Sequence, residues 1–178
     1  RDTTDQHNLV DIVRGATKEI NINDATTAQT TVAQGLKTFD SSGFTLGTDL
    51  EYNTVSEDYI AWCWKAGGTA ASNTDGSITS SVSANTTAGF SIATWTGTAA
   101  NATVGHGLGS APEFYIVHDL VSTGVNNNAW HKDLTSAAYR LKPNGNAAEQ
   151  SGATYWNSTA PSATVISLGS SAETNTAA

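Results

Sequence analysis

The sequence contains little sulphur, little charge and no long apolar run. Methionine is absent, Cys63 is the single cysteine, and charged residues make up 13% of the 178 positions. One cysteine forms no internal disulfide, and its place between Trp62 and Trp64 predicts a small buried side chain. No apolar run approaches the ~20 residues needed to cross a bilayer. We therefore expect neither an internal disulfide nor insertion into a membrane.

Basic residues are also scarce. Eight lysines and arginines are scattered along a chain with sixteen acidic residues, and the formal net charge at pH 7 is −8. Binding to a phosphate backbone requires clustered lysine and arginine side chains. A nucleic-acid partner is therefore not expected.

The clearest structural signal is a glycine-rich turn that leads into an apolar strand. Gly105, Gly107 and Gly109 allow positive φ without a Cβ clash, and Pro112 fixes its own φ at a strand start. Residues 113–118 follow, with aromatic or β-branched side chains at four consecutive positions. Such residues fit a pleated surface that is buried on at least one face. We predict a central strand here.

Short alternating runs predict strands along most of the chain. In residues 58–65 the side chains of Ile60, Trp62 and Trp64 share one face, which predicts a buried core strand. Residues 90–95 alternate similarly, and these two strands with 113–118 are expected to be central in an all-β, antiparallel β-sandwich. Further strands are predicted at 17–23, 43–46, 77–84, 129–132, 138–142, 153–157 and 163–168. Residues 25–36 lack a capping box and are assigned to loop or strand.

Two parts of the chain follow the same pattern. Residues 13–20 (VRGATKEI) align with residues 134–141 (LTSAAYRL), which places position 134 against position 13, an offset of 121. Residues 44–47 (FTLG) align with 166–169 (ISLG), which places 166 against 44, an offset of 122. At that offset Glu51, Asn53 and Thr54 align with Glu173, Asn175 and Thr176. The order and spacing of the matches predict two incomplete copies of a repeat of ~120 residues.

The repeat predicts how the chain is divided. Residues 1–67 carry the C-terminal portion of a first copy, 68–88 form a Thr/Ser/Asn-rich connection with one edge strand, and 89–178 form a second copy without its last strand. The first copy lacks the equivalent of residues 90–117, and the second lacks the equivalent of 58–65. We expect the missing strands to come from further chain in a longer array, or else from a neighbouring chain by β-augmentation.

Five longer motifs resemble a repeat domain of large structural and tail proteins of marine bacteriophages. They are WCWKAGG at 62–68, NTDGSITSSVSAN at 73–85, GFSIATWTG at 89–97, ATVGHGLGSAPEFYIV at 102–117 and YWNSTAPSATVISLG at 155–169. The resemblance implies a lectin-like (concanavalin-like or jelly-roll) β-sandwich module of a tail fibre, at the virion surface. It implies a non-enzymatic structural role beside other virion subunits, a homo-oligomer with a trimer favoured, and attachment to host-surface glycans. It implies no cofactor and no catalytic residues.

A carbohydrate-active enzyme, or its sugar-binding accessory domain, is the alternative function. Glycoside hydrolysis needs two carboxylates ~5 to 10 Å apart, and Glu51, Glu57 and Asp58 are the acidic residues near a predicted core strand. Their place at a turn favours solvated carboxylates instead. The sequence also contains no nucleophile elbow, P-loop or nucleotide-binding fingerprint. No catalytic residue is therefore predicted.

Two histidines and two aspartates carry side chains that suit a metal ion. His118, Asp119, His131 and Asp133 would gather around zinc or manganese if their two segments paired. Because no further residue in the sequence is placed to orient the imidazoles, surface positions are favoured. No metal site is predicted.

The five tryptophans fall into two groups. Trp62 and Trp64 lie in the most apolar predicted strand and are assigned to the core. The other three lie near strand ends beside polar residues, where an aromatic ring stacks on a sugar or fills an interface pocket. The candidates for ligand or interface contact are Trp95, Trp130, His131 and Trp156. The alternative for these tryptophans is half-buried packing.

Overall fold

A computed structural model describes residues 6–25 and 28–177. The strands are β1 (Asn8–Val10), β2 (Lys18–Asn21), β3 (Thr30–Thr31), β4 (Leu36–Asp40), β5 (Gly43–Leu46), β6 (Ala71–Asn73), β7 (Ser80–Asn85), β8 (Phe90–Trp95), β9 (Ala102–Gly105), β10 (Phe114–Val117), β11 (Asn128–His131), β12 (Tyr139–Arg140), β13 (Gln150–Ser151) and β14 (Val165–Leu168). Three single-turn helices are α1 (Leu50–Asn53), α2 (Ala153–Trp156) and α3 (Ala172–Asn175). The prediction of an all-β, antiparallel protein is confirmed.

The strands pair into small antiparallel sheets. In the described part of the chain these are two three-stranded sheets, β1-β2-β3 and β6-β7-β8, and four two-stranded ribbons, β4-β5, β9-β14, β10-β11 and β12-β13. Ile78 forms a parallel bridge to Val104, which brings the chain before β7 beside β9. In this arrangement β8 ends one sheet and β10 lies at the edge of another.

The core is built around an aromatic cluster. Val104, Trp156 and Leu168 are completely buried, and Trp130 is 5% exposed. Tyr115 stacks on Trp130 with ring centroids 5.5 Å apart, and it meets Trp156 edge to face at 5.0 Å. Offset stacking and edge contacts are the arrangements that aromatic quadrupoles favour. The inner face of β10–β11, the β9–β14 ribbon and α2 therefore share one core.

Strand predictions succeeded where aromatic and β-branched residues alternate. β5 and β8 coincide with the predicted strands at 43–46 and 90–95, and the predicted strand 113–118 contains β10. Gly107 and Gly109 adopt φ of 70° and 74°, as the predicted turn requires. Positive φ at Gly105 is not found, because Gly105 is the last residue of β9. Residues 25–36 contain β3 and the start of β4, while positions 26 and 27 lie outside the described residues.

The predicted strand at 153–157 is wrong, because these residues form α2. The short apolar run ATYW is too brief for its period to separate a strand from a helical turn. Asn157 ends the turn in the left-handed region, with φ of 51°. Among the described residues, no helix is both long enough and apolar enough to cross a membrane.

The largest departure concerns residues 58–65, which form no strand. Ile60, Trp62 and Trp64 are 72%, 71% and 60% exposed, and Cys63 is exposed as well. The prediction of a buried core strand is therefore wrong, as is that of a buried cysteine. Alternation determines which side chains share a face, but a strand also needs neighbouring backbone to accept its hydrogen bonds. None of the described residues supplies that neighbour to residues 60–64.

Two helices that lie 122 positions apart are capped in the same way. Asp49 caps α1, its carboxylate accepting a hydrogen bond from the Glu51 amide at 2.9 Å. Ser171 caps α3, its hydroxyl accepting from the Glu173 amide at 3.2 Å. Such caps satisfy amide groups that have no partner within the helix.

The contacts that close these helices also match. Asn53 donates from Nδ2 to the carbonyl of Gly47 at 3.0 Å, and Asn175 donates to the carbonyl of Gly169 at 3.1 Å. At each of the two glycines an added Cβ would overlap a backbone carbonyl oxygen, at 2.3 Å for Gly47 and 2.0 Å for Gly169. The two segments therefore share backbone packing as well as sequence pattern.

Candidate functional site

The candidate site is an open groove with a volume of about 2970 Å³. The described residues contain twelve exposed large apolar side chains, and all but Leu50 and Val55 line this groove. Soluble proteins seldom leave a contiguous apolar surface open unless it binds something. Concentration of the exposed apolar side chains in one place makes the groove the first candidate for function.

One wall of the groove is formed by residues 59–66, which we call the aromatic segment. At its start the Tyr59 hydroxyl accepts a hydrogen bond from the Thr54 amide at 2.9 Å and donates to the Leu50 carbonyl at 3.2 Å. At its end Asn85 donates from Nδ2 to the Lys65 carbonyl at 3.2 Å. The segment is thus held at both ends, while the backbone of residues 60–64 is left without a hydrogen-bond partner in the described chain.

The aromatic segment also packs on β8. Trp64 stacks on Phe90 with ring centroids 6.1 Å apart and an angle of 19° between the planes. Gly67 comes directly after the segment in the sequence and lies against β7. A Cβ added at Gly67 would be 1.9 Å from the carbonyl oxygen of Ala84. Glycine is required where two backbones approach this closely. These contacts place the segment beside the turn between β7 and β8.

The outer face of β10 forms another wall. Phe114 is 52% exposed and Ile116 is 38% exposed, while Val117 on the opposite face is 4% exposed. Successive side chains of a strand point to opposite faces, so β10 presents an apolar face on both sides. The inner face is covered by the core, and the outer face lies open in the groove.

Two unpaired strand edges meet the same groove. Among the described residues β8 pairs with β7 alone, and β10 pairs with β11 alone. Residues of both strands line the groove. An open strand edge exposes a row of backbone donors and acceptors and acts as a template for another strand. The groove therefore offers apolar side chains and unpaired backbone together.

Polar groups line one part of the groove. Arg14 donates from Nε to the Asp11 carboxylate and from Nη2 to the Leu9 carbonyl at 3.0 Å. His118 contacts the Asn127 side-chain oxygen through Nδ1, which leaves Nε2 buried without a partner in the described chain. Burial lowers the pKa of His118, and the nearby Arg14 charge acts in the same direction, against the Asn127 hydrogen bond. The ring is therefore neutral at pH 7 and presents an acceptor nitrogen.

Asp119 follows in the chain and stays ionised. Burial raises the pKa of its carboxyl group, but hydrogen bonds from the Val121 and Ser122 amides outweigh burial, and the pKa lies below its usual value. The Val121 amide lies 2.8 Å from Oδ1 and the Ser122 amide 3.0 Å from the same atom. Asp119 therefore serves to close a turn beside the groove.

The structure separates the residues proposed from the sequence as contact candidates. Trp130 and Trp156 are core residues at 5% and 0% exposure, so the expectation that they contact a ligand or partner from solvent is wrong. Trp95 is half-buried, lines the groove and packs against the core. His131 is partly exposed, with its ring tilted against Phe114 at 6.3 Å. The tryptophans assigned to the core, Trp62 and Trp64, are the exposed ones.

The histidine and acidic residues do not form a metal-binding cluster in the described part of the chain. In residues 6–25 and 28–177 no three His, Cys, Asp or Glu side chains come close enough to hold a metal ion. His131 and Asp133 form only a local contact of 3.7 Å between Nδ1 and Oδ2. Glu51 accepts a hydrogen bond from Asn8 at 3.2 Å.

Sequence reasoning overlooked the outer face of β10. The run Phe114–Val117 is apolar at every position, a pattern typical of strands that are buried on both faces. That signal was present in the sequence and points to a partner for Phe114 and Ile116. The β4–β5 hairpin adds Phe39 opposite Phe44, both exposed and both in the groove.

Comparison with known families identifies the whole chain. The family described as "Domain of unknown function (DUF7483)" matches residues 1–178, and the chain belongs to that family. No curated protein and no solved structure gives a significant match.

Proposed function

We propose that this member of the DUF7483 family is a non-enzymatic structural module of a bacteriophage virion, located at the virion surface in a tail fibre. In this proposal the groove is the surface through which the module joins other virion subunits. The observation that carries it is the concentration of exposed apolar side chains: ten of the twelve in the described chain line one groove. A module that works by assembly needs such a surface.

The composition of the groove favours a protein partner. Interface centres are enriched in aromatic residues and depleted in charge. Trp62, Trp64 and Phe114 are each more than half exposed in the groove. Such residues supply most of the binding energy when a partner buries them. Homo-oligomerisation, with a trimer favoured, would bury them.

The same proposal includes a repeated architecture, with two incomplete copies of a lectin-like β-sandwich repeat of ~120 residues. Its support is the agreement of caps and closing contacts between α1 and α3. Strand register adds to it: Lys18 lies opposite Thr31 on β2 and β3, and Tyr139 lies opposite Ser151 on β12 and β13. A module of this kind is suited to a fibre because successive copies bury one another's open faces.

Sedimentation velocity over a wide concentration range tests the assembly function. The expected result is an oligomer whose population rises with concentration, together with no release of sugar from any polysaccharide tested. A chain that stays monomeric throughout contradicts assembly. Release of reducing sugar would favour the alternative, a carbohydrate-active enzyme.

Sugar binding is a second candidate, as host-surface attachment or as the role of an accessory domain. The favouring observation is that exposed Trp62 and Trp64 share the groove with the acceptors His118 Nε2 and Gln6 Oε1, which are buried and have no hydrogen-bond partner among the described residues. An aromatic ring stacks on a sugar ring, and the buried acceptors accept hydrogen bonds from the sugar hydroxyl groups. Calorimetric titration with host surface polysaccharide tests this, and Trp62→Ala should abolish the heat if the groove is the site.

A further inference from the structure

We propose that the aromatic segment of one copy of the chain pairs, as an added strand, with the free edge of β10 in a second copy. This inference rests on the proposed assembly function and names the contact that would produce it. The addition of a strand to an open sheet edge is a known mode of recognition, in which backbone bonds supply affinity and side chains supply specificity.

The acceptor is the unpaired side of β10. Within the described chain β11 occupies one edge of β10, and the other edge has no strand beside it. The outer side chains Phe114 and Ile116 are exposed in the groove next to that edge. An added strand would therefore satisfy backbone groups and cover apolar side chains at once.

The donor is the middle of the aromatic segment. Residues 60–64 make no backbone hydrogen bond within the described chain. Positive φ occurs at Ser56 and at Gly68, and at no described residue between them. The backbone of the segment is thus compatible with a strand. All of residues 60–64 are exposed, and the large side chains Ile60, Trp62 and Trp64 alternate with the small Ala61 and Cys63, as the two faces of a strand would.

One antiparallel register matches the two elements in side-chain size. It places Lys65 of the donor opposite Glu113, at the start of β10. The pairs that follow are Trp64 with Phe114, Cys63 with Tyr115, Trp62 with Ile116 and Ala61 with Val117. Residues directly opposite in an antiparallel pair share a face. All four large apolar side chains then lie on the open face.

The small residues complete the match. Ala61 and Cys63 fall on the face of Tyr115 and Val117, where the core of the acceptor is already filled. A shift of one residue would turn Trp62 and Trp64 towards that filled face, so the register is strongly specified. Glu113 already accepts a hydrogen bond from Lys132 Nζ at 2.9 Å in its own chain, so Lys65 would add a second cation beside it and contributes less to this alignment than the side-chain sizes do.

A second copy is the occupant because the segment is attached to β7 and β8 in its own chain and pairs with no strand among the described residues there. Asn85 at the end of β7 binds the Lys65 carbonyl, and Trp64 stacks on Phe90 of β8. β8 and β10 belong to different sheets. The contact joins different surfaces on the two copies, so it forms a ring where the rotation between subunits closes and an open filament where it does not. A ring of three agrees with the favoured trimer.

Charge substitutions on the two surfaces test the contact. Trp62→Lys damages the donor, Ile116→Lys damages the acceptor, and Phe114→Lys provides a second acceptor variant. All three positions are exposed in the single chain, so each variant should fold, which circular dichroism checks. Val55→Lys is the matched control, because Val55 is 88% exposed and lies outside the groove. We expect self-association of the three groove variants to be ~100-fold weaker than that of the unaltered chain. The control variant should associate as strongly as the unaltered chain.

Mixing the variants distinguishes this contact from a symmetric one. Trp62→Lys keeps an intact β10, and Ile116→Lys keeps an intact aromatic segment, so a mixture should form a dimer of one copy of each, joined by a single contact, although neither variant self-associates. Failure of the mixture to associate would overturn the pairing of segment with β10. If Ile116→Lys and Phe114→Lys assemble like the unaltered chain, the inference fails while the assembly function stands. An unaltered chain that is monomeric at all concentrations defeats both.

Discussion

Tyr115 and Trp130 lie directly opposite each other on β10 and β11, and their rings stack with centroids 5.5 Å apart. Trp156 closes the cluster from the side, edge to face with Tyr115 at 5.0 Å. This cluster, rather than the tryptophan pair of residues 62 and 64, is the centre of the described core.

Trp130→Ala should therefore lower the free energy of unfolding by ~3 to 5 kcal/mol, the usual cost of emptying a large aromatic site in a core. Trp62→Ala should cost below about 1 kcal/mol in the single chain, because 71% of its side chain is exposed. The sequence alone predicted the opposite order. Urea denaturation of the two variants measures the difference, and equal costs would contradict this description of the core.

Asn175→Ala should destabilise the fold more than Asn53→Ala, although the two residues occupy equivalent positions in the two segments. Asn175 is 2% exposed, and its side chain accepts from the Thr98 amide at 2.9 Å as well as donating to Gly169. Loss of a buried partner costs ~1 to 3 kcal/mol for each group left unsatisfied. Asn53 is exposed, so water replaces its contact with Gly47. Thermal unfolding of the matched pair gives the comparison.

Gly169→Ala should prevent normal packing of the α3 region. An added Cβ would lie 2.0 Å from the Thr154 carbonyl oxygen, and that oxygen belongs to backbone that has little freedom to move. We expect a loss of about 3 kcal/mol or more. Gly145→Ala is the control, because its nearest neighbour would lie 3.7 Å away. A native melting temperature for Gly169→Ala would be evidence against the backbone arrangement described for α3.

The stability of the fold should decrease as pH falls below about 6.5, the ordinary pKa of histidine. His106 is 5% exposed, with Nδ1 accepting from the Leu108 amide and Nε2 contacting the Ser162 carbonyl, both at 3.2 Å. This arrangement holds the neutral ring, and burial lowers the pKa despite the Ser162 hydrogen bond. Below pH 6.5 the unfolded chain takes up a proton that the folded chain resists, so unfolding becomes easier.

His118 acts in the same direction, since burial lowers its pKa as well. The experiment is chemical denaturation at several pH values between 7 and 5, with His106→Gln and His118→Gln as comparisons. Each substitution should flatten the dependence, by at most ~1.4 kcal/mol per pH unit for one proton. A dependence unchanged by both substitutions would show that other groups cause it.

Much of the secondary structure followed from short-range patterns. β5 and β8 were predicted at their exact bounds, and β10 lies inside its predicted strand. The alternation of apolar side chains and the presence of β-branched residues are local properties, so strands that depend on them can be predicted from a single sequence. The sequence pattern did not predict the helix α2, because a run of four residues is too short to distinguish the helical period of about 3.6 residues from the strand period of about 2.

The candidate site was the least predictable part. Trp62 and Trp130 both occur in alternating apolar runs, and no local pattern distinguishes the exposed residue from the buried one. The groove also combines residues from the β4–β5 hairpin, the aromatic segment, β8 and β10, which are far apart in the sequence. A single sequence does not indicate which distant segments contact each other in the folded chain.

The sequence by itself determined an all-β, antiparallel chain with a glycine turn at Gly107 and Gly109, because backbone freedom and side-chain alternation are local properties. The tertiary structure alone decided which apolar face is covered. β10 is apolar on both faces, yet Tyr115 reaches Trp130 and Trp156 in the core while Ile116 remains open to the groove. Burial depends on a partner surface contributed by distant residues, and for Ile116 and Trp62 the described chain provides none that covers them.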